Sequence, residues 1–224
     1  MRVTDERPVR RCGIIAALLA VISIPAFAVA PTADEIAQRC TGADDRAQCG
    51  RRIEEMQLAR LPNLARRDGD TLTVNLFPAG TKVYRDNVQT HGEKTYALWD
   101  YFDWINAVLL FTTDGERSGF LLLQRASGRD FALPSDPALS PDRKRLATAD
   151  FCRSACDNEV VVWRVDRDRI ARELSWRPSA PWADASVRWK DADTLVFDYS
   201  VAGNDSTRTL ERRLSAPDWL NATR

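Results

Sequence analysis

The sequence predicts a mainly β protein: antiparallel β-repeats behind a short, disulfide-linked helical segment. Three observations carry that prediction. From Thr71 onward, short apolar runs alternate with Gly, Pro, Asp and Ser turns, and no long helical pattern interrupts them. The preceding segment 31–68 is polar, lacks aromatic residues and has helical spacing. Beyond the N-terminal leader stand four cysteines, Cys40, Cys49, Cys152 and Cys156, in two close pairs.

The leader is residues 1–28. Arg2, Arg7, Arg10 and Arg11 precede the apolar run "GIIAALLAVISIPAFAVA", and that order of basic head, apolar middle and small-residue end is a secretory signal peptide. Of two A-x-A sites, Ala26-Phe27-Ala28 is preferred, because cleavage after Ala30 would put Pro31 against the scissile bond. The alternative is an uncleaved anchor: Gly13 to Ala30 is 18 residues, near the ~20 a spanning helix needs, and it is the one route by which the chain would meet a membrane. Removing the leader takes four Arg, one Asp and one Glu, leaving 28 basic against 30 acidic residues. That balance gives no reason to expect nucleic acid. Lysine is confined to Lys82, Lys94, Lys144 and Lys190. The arginine bias fits a GC-rich bacterial genome, so the exported protein is expected in the periplasm.

An even cysteine count in an exported chain reads as two disulfides, and proximity favours Cys40–Cys49 and Cys152–Cys156. A four-cysteine zinc site fits less well, since eight residues separate Cys40 from Cys49. In the head, Cys49, Ile53, Met56 and Arg60 fall on one helical line, with Arg51, Arg52, Glu54 and Glu55 largely off it on an expected solvated face. Thr41-Gly42 breaks the run, Asp44 is a candidate cap for the second helix, and Pro62 closes it.

The β-region spans 70–219. "TLTVNLF", Pro78-Ala79-Gly80 and "TKVYRD" read as strand, turn, strand; "AVLLFTT", "GFLLLQRA" and "RDFALP" follow, with turns at Asp114-Gly115 and Ser127-Gly128. The region repeats itself. Aligning its strands at Leu109, Leu146 and Leu195 gives intervals of 37 and 49 residues, which bracket the ~40–45 of a propeller blade. The block 137–176, with "LSPDRKRLATA" and "DNEVVVWRV", resembles a WD-repeat or TolB-like propeller blade; its neighbours follow the same plan with less fidelity. The resemblance implies propeller-like antiparallel β-repeats. With "TLTVNLFPAGTKVYRD" as a divergent fourth unit, a closed propeller, an open array and a β-sandwich all stay open.

"WDYFDW", residues 99–104, is the densest candidate site. As a strand through residue 105 it would put Asp100 and Asp103 on opposite faces, useless as an acid–base pair, with the rings packing between sheets. An exposed remnant of the aromatics would still make a binding surface. Trp99, Tyr101 and Trp104 are the candidates there, joined by Trp176 and Trp182, whose proline and loop neighbours suggest a rim. His91, in "VQTHGEKT", reads as a solvated loop histidine rather than a general base. No G-x-S-x-G, P-loop or dinucleotide fingerprint occurs, the acids of "GDT", "TDG" and "SDP" are too scattered for a calcium loop, and no cofactor is expected.

Repeats without a catalytic constellation suggest a non-enzymatic, exported module that binds another envelope protein. The alternative is an envelope glycan-binding protein or glycan hydrolase using Asp100, Asp103 or Glu93. It needs two carboxyl groups about 5–10 Å apart in one cleft.

Overall fold

The computed structural model describes residues 30–87, 94–152, 154, 156–166, 169–217 and 219. The leader 1–28, His91 and Glu93 lie outside them.

The head is a helix, a turn and a longer helix, α1 (Ala33–Cys40) and α2 (Arg46–Arg60). Thr32 caps α1 in a reciprocal box: its hydroxyl accepts from Glu35 N at 3.2 Å, and its own N–H donates to Glu35 Oε2 at 2.9 Å. The Arg52 guanidinium donates to the carbonyls of Arg39, Thr41 and Gly42, satisfying groups the end of α1 leaves open. The Cys40–Cys49 disulfide and an Arg60–Glu35 ion pair close the hairpin. Asp45, not Asp44, caps α2, accepting from Gln48 N at 2.7 Å; Asp44 instead exchanges hydrogen bonds with the Gln48 side chain.

Four antiparallel sheets follow in chain order, each an up-and-down meander. The first is β1 (Ala65–Asp68), β2 (Thr71–Asn75) and β3 (Thr81–Arg85). The second is β4 (Lys94–Phe102), β5 (Ala107–Asp114), β6 (Arg117–Gln124) and β7 (Arg129–Leu133). The third is β8 (Ala138–Leu139), β9 (Arg145–Asp150), β10 (Glu159–Val165) and β11 (Ile170–Trp176). The fourth is β12 (Trp182–Trp189), β13 (Thr194–Val201) and β14 (Asn204–Arg213). The mainly β class is thus present, with the helices on the N-terminal side. Leu109, Leu146 and Leu195 each lie on the second strand of their sheet, as the repeat alignment requires. The β-structure starts earlier than expected, at Ala65, because Leu64 and Ala65 bury beside Leu72 and Val74 and pair the chain into the first sheet.

Burial explains the apolar runs. Val108 and Leu110 of β5 pack with Leu72 and Val74 of the first sheet, while Ala107 and Leu109 pack with Leu146 and Ile170 of the third. A strand covered on both faces has no polar face to alternate. β10 behaves alike, with Val160 and Val162 turned to the fourth sheet and Val165 to the second. β12, covered on one face, keeps a period-two alternation. The apolar clusters join the sheets pairwise in order, first to second, second to third and third to fourth.

The disulfide Cys152–Cys156 also forms. Two disulfides indicate an oxidising, exported environment. Among the described residues no helix is long and apolar enough to cross a membrane.

Candidate functional site

The site begins at an irregularity in β4. Leu98 pairs with Leu110, but Asp100 pairs with Leu109, so Trp99 is an extra residue bulged out of the ladder. The bulge shifts the side-chain phase by one: Leu98 and Tyr101 go to the first-sheet core, and Trp99 and Phe102 go to the opposite one. The strand then ends, and Asp103–Ile105 form a 3-10 turn. The expected strand through residue 105, with Asp100 and Asp103 pointing apart, is corrected on both counts. Both aspartates line one cavity of about 630 Å³, closed by 135–139, Arg143, β9 and Ala185–Val187 of β12.

A third carboxylate, Asp136, shares that cavity. Asp100 is 6% exposed. Burial pushes its carboxyl up to about 6, opposed by a hydrogen bond from Tyr101 N at 2.7 Å. Crowding on its cavity side and then repulsion from Asp100 push Asp136 up to about 6, against a favourable pull from the Trp99 side chain. Asp136 as a whole is exposed to solvent, so water moderates that rise. Among the described residues no basic side chain reaches ion-pair distance of either acid. Two hydrogen-bonding atoms in the same wall, Trp104 Nε1 and Ser135 Oγ, are buried without partners.

A second, wider cavity of about 950 Å³ adjoins the first and shares Ser135, Asp136, Ala149 and Ala185 with it. Asp45 at the cap of α2, Glu116, Asp150, Asp157 and Asp184 add to its charge. Burial raises Asp150 as well. Together the cavities are lined by eight carboxylates and three guanidinium groups, in a chain of formal charge zero. One of the three, Arg46, already donates to Glu116 O and Ser118 Oγ, both at 3.2 Å.

The aromatic candidates divide. Trp99 and Trp104 line the narrower cavity. Trp99 is nevertheless 7% exposed, its ring packed at a tilt against Phe111 and edge-on against Phe120, so little of it is free for a ligand. Tyr101 borders the cavity too, but its ring packs with the first-sheet core beneath Arg125, and its hydroxyl donates to Asn106 Oδ1 at 2.9 Å. Trp176 and Trp182 do not stand on a rim; they are 4% and 6% exposed. Pro178 and Pro181 do mark the connection between β11 and β12, but it folds both rings back into the seam between the third and fourth sheets, edge to face at 5.4 Å.

Sequence reasoning misses Asp136, which figures there only among scattered acids unfit for a calcium loop. Its distance along the chain from Asp100 carries no periodic signal, and only the linker between β7 and β8 brings the two together. Glu54 was also misplaced: assigned to a solvated face, it is 2% exposed. Among the described residues no group of His, Cys, Asp and Glu is arranged to hold a metal ion. No protein-family model, curated protein or solved structure matches the chain, so a functional reading rests on the chemistry of these residues.

Proposed function

We propose that this is an exported, periplasmic, non-enzymatic binding module whose propeller-like β-repeats hold a basic segment of another envelope protein. The charge imbalance of the two adjoining cavities carries the reading. Eight carboxylates facing three guanidinium groups form a negative concavity that steers and holds cations. The signal-like leader and the two disulfides support export, and four consecutive meanders support the likeness to propeller blades.

The test is calorimetric titration with a lysine- and arginine-rich decapeptide and its acidic counterpart. Selective binding of the basic peptide is expected, weakened about tenfold by Asp184→Asn together with Asp157→Asn, and falling with added salt because the contact is ionic. Binding indifferent to salt and to those substitutions would overturn the reading.

A second reading, glycan binding or hydrolysis, draws on a separate observation: Asp100 and Asp136 share a cavity with Phe102 and Trp104. A carboxyl raised toward neutrality suits a general acid. Release of reducing ends from envelope glycan, abolished by Asp136→Asn, would put this reading first.

A further inference from the structure

The narrower cavity sets unpaired charge beside apolar surface. Its acids are Asp100 and Asp103, from β4 and the turn after it, and Asp136, from the linker between β7 and β8; Arg143, from the turn before β9, faces them, while Ala185, Ser186 and Val187 of β12 bring no charge. Phe102, Trp104, Leu139 and Val187 supply the apolar part of the wall. Phe102 and Trp104 pack against the core that joins the second and third sheets, yet both are only half-buried, so each keeps accessible surface.

Asp100 is an anchor in its own right, whatever the number of acids around it. It is almost wholly buried. Tyr101 N occupies its Oδ1 at 2.7 Å, whereas Oδ2 has no hydrogen-bond or ion-pair partner among the described residues and still retains accessible surface. A buried carboxylate with one open oxygen beside a cavity lacks a cationic donor. Asp136 stands close enough for the two charges to repel, and a cation between them would relieve that repulsion.

We propose that the narrower cavity takes an alkylammonium group, the side chain of a lysine in the partner's basic segment, with the ammonium between Asp100 and Asp136 and its methylene stem against Phe102 and Trp104. The chemistry rests on this cavity, and the source rests on the basic-segment reading above. An ammonium fits better than the other cations. Among the described residues no acids are arranged to hold a metal ion, and a largely apolar wall suits a cation that brings apolar surface with it. A guanidinium fork matches both oxygens of one carboxylate, but Tyr101 N already takes one of those on Asp100; an ammonium divides three donors among oxygens from separate elements. The wider cavity then gathers the segment, and the narrower one holds a single lysine.

The experiment titrates the full chain by NMR with n-butylammonium, its neutral isostere n-butanol and n-butylguanidinium, and with lysine-only and arginine-only decapeptides. At pH 7.5 n-butylammonium should bind at least about fivefold more tightly than either small competitor, and the lysine peptide more tightly than the arginine one. Asp136→Asn and Asp100→Asn should each weaken n-butylammonium about fivefold, and Asp157→Asn with Asp184→Asn, in the wider cavity, should leave it unchanged. Alkylamines stay cationic below pH ~10, so the pH dependence comes from the acids: Asp100 and Asp136 lose charge as pH falls through about 6, and affinity should drop about tenfold between pH 7.5 and 5. Equal binding of n-butanol, or n-butylammonium binding indifferent to both cavity substitutions, would overturn the proposal. If n-butylammonium binds as expected and neither peptide does, the site stands and the basic-segment reading falls, and spermidine, the same chemistry as a free polyamine, should then bind with the same dependence on Asp136.

Discussion

Two buried acids sit at the two halves of β4, and they are treated in opposite ways. At the first half, β4 is the edge of its sheet, and α2 covers it where another strand would otherwise pair. Glu54 of α2 accepts from Leu98 N at 2.9 Å and from Arg67 through Nε and Nη2 at 2.8 and 2.7 Å, with Arg51 at 3.1 Å. Gln57 donates to Trp99 O at 2.6 Å, and Asp86 accepts from Tyr96 N at 3.0 Å. The edge is thus satisfied by side chains, and the acid is surrounded by donors. At the second half, past the bulge, Asp100 is also buried but, among the described residues, has no ion-pair partner. The difference separates a carboxylate that holds the fold together from one that the fold leaves with unspent binding capacity.

The largest expected effect breaks the satisfied half. Glu54→Ala would leave Leu98 N–H and two guanidinium groups without their acceptor in a buried setting, which costs about 3–5 kcal/mol. Urea unfolding monitored by tryptophan fluorescence measures it. A loss below ~1 kcal/mol would mean that Asp86, itself paired with Arg51 and Arg67, takes over the role.

The next effect tests the unsatisfied half, in the full-length unprocessed chain. Asp100 has a folded pKa raised from 3.8 to about 6. The protonated form is therefore favoured on folding: that contribution is complete below about pH 4 and is lost as pH rises through about 6, amounting to about 3 kcal/mol at most. Asp100→Asn should remove this slope, matching the parent at pH 4 and exceeding it in stability at pH 7. Parallel stability curves across that window would show that Asp100 gains a partner on ionising.

Close packing of the helix on the sheet is tested by Gly50→Ala. Alanine improves helix propensity by about 1 kcal/mol, but its Cβ would fall 2.7 Å from Phe111 Cδ1. Overpacking costs about 1–3 kcal/mol, so a net loss of about 1 kcal/mol is expected. Phe111→Leu in the same chain should relieve part of it.

What the sequence made legible follows from periodicity and turn chemistry. β5, β9 and β13 were found because a buried second strand leaves an apolar run between Gly, Asp or Pro turns, and the cysteine pairs because each closes a short loop. The edge cover of β4 was not legible. Glu54 and Gln57 look like ordinary helix-surface residues, and their burial exists only because β4 has no strand on that side. The site was illegible for a related reason: the bulge at Trp99 breaks the period-two rule on which the face assignment of Asp100 depended, and no composition signal marks a bulge without glycine or proline. Trp176 and Trp182 failed differently, since a proline-flanked connection says where the chain turns but not which way its rings point.

The smallest stability effect is the sharpest for function. Trp104 Nε1 is buried without an acceptor, so Trp104→Phe removes an unsatisfied donor at the cost of some ring area. The two terms oppose each other, and the net change should stay within about 1 kcal/mol. The consequence for the cavity is larger if the donor serves a ligand's carbonyl. Binding of the basic decapeptide should then weaken in Trp104→Phe, though every cavity carboxylate remains. An undiminished affinity would assign the hold on the peptide to the carboxylates alone.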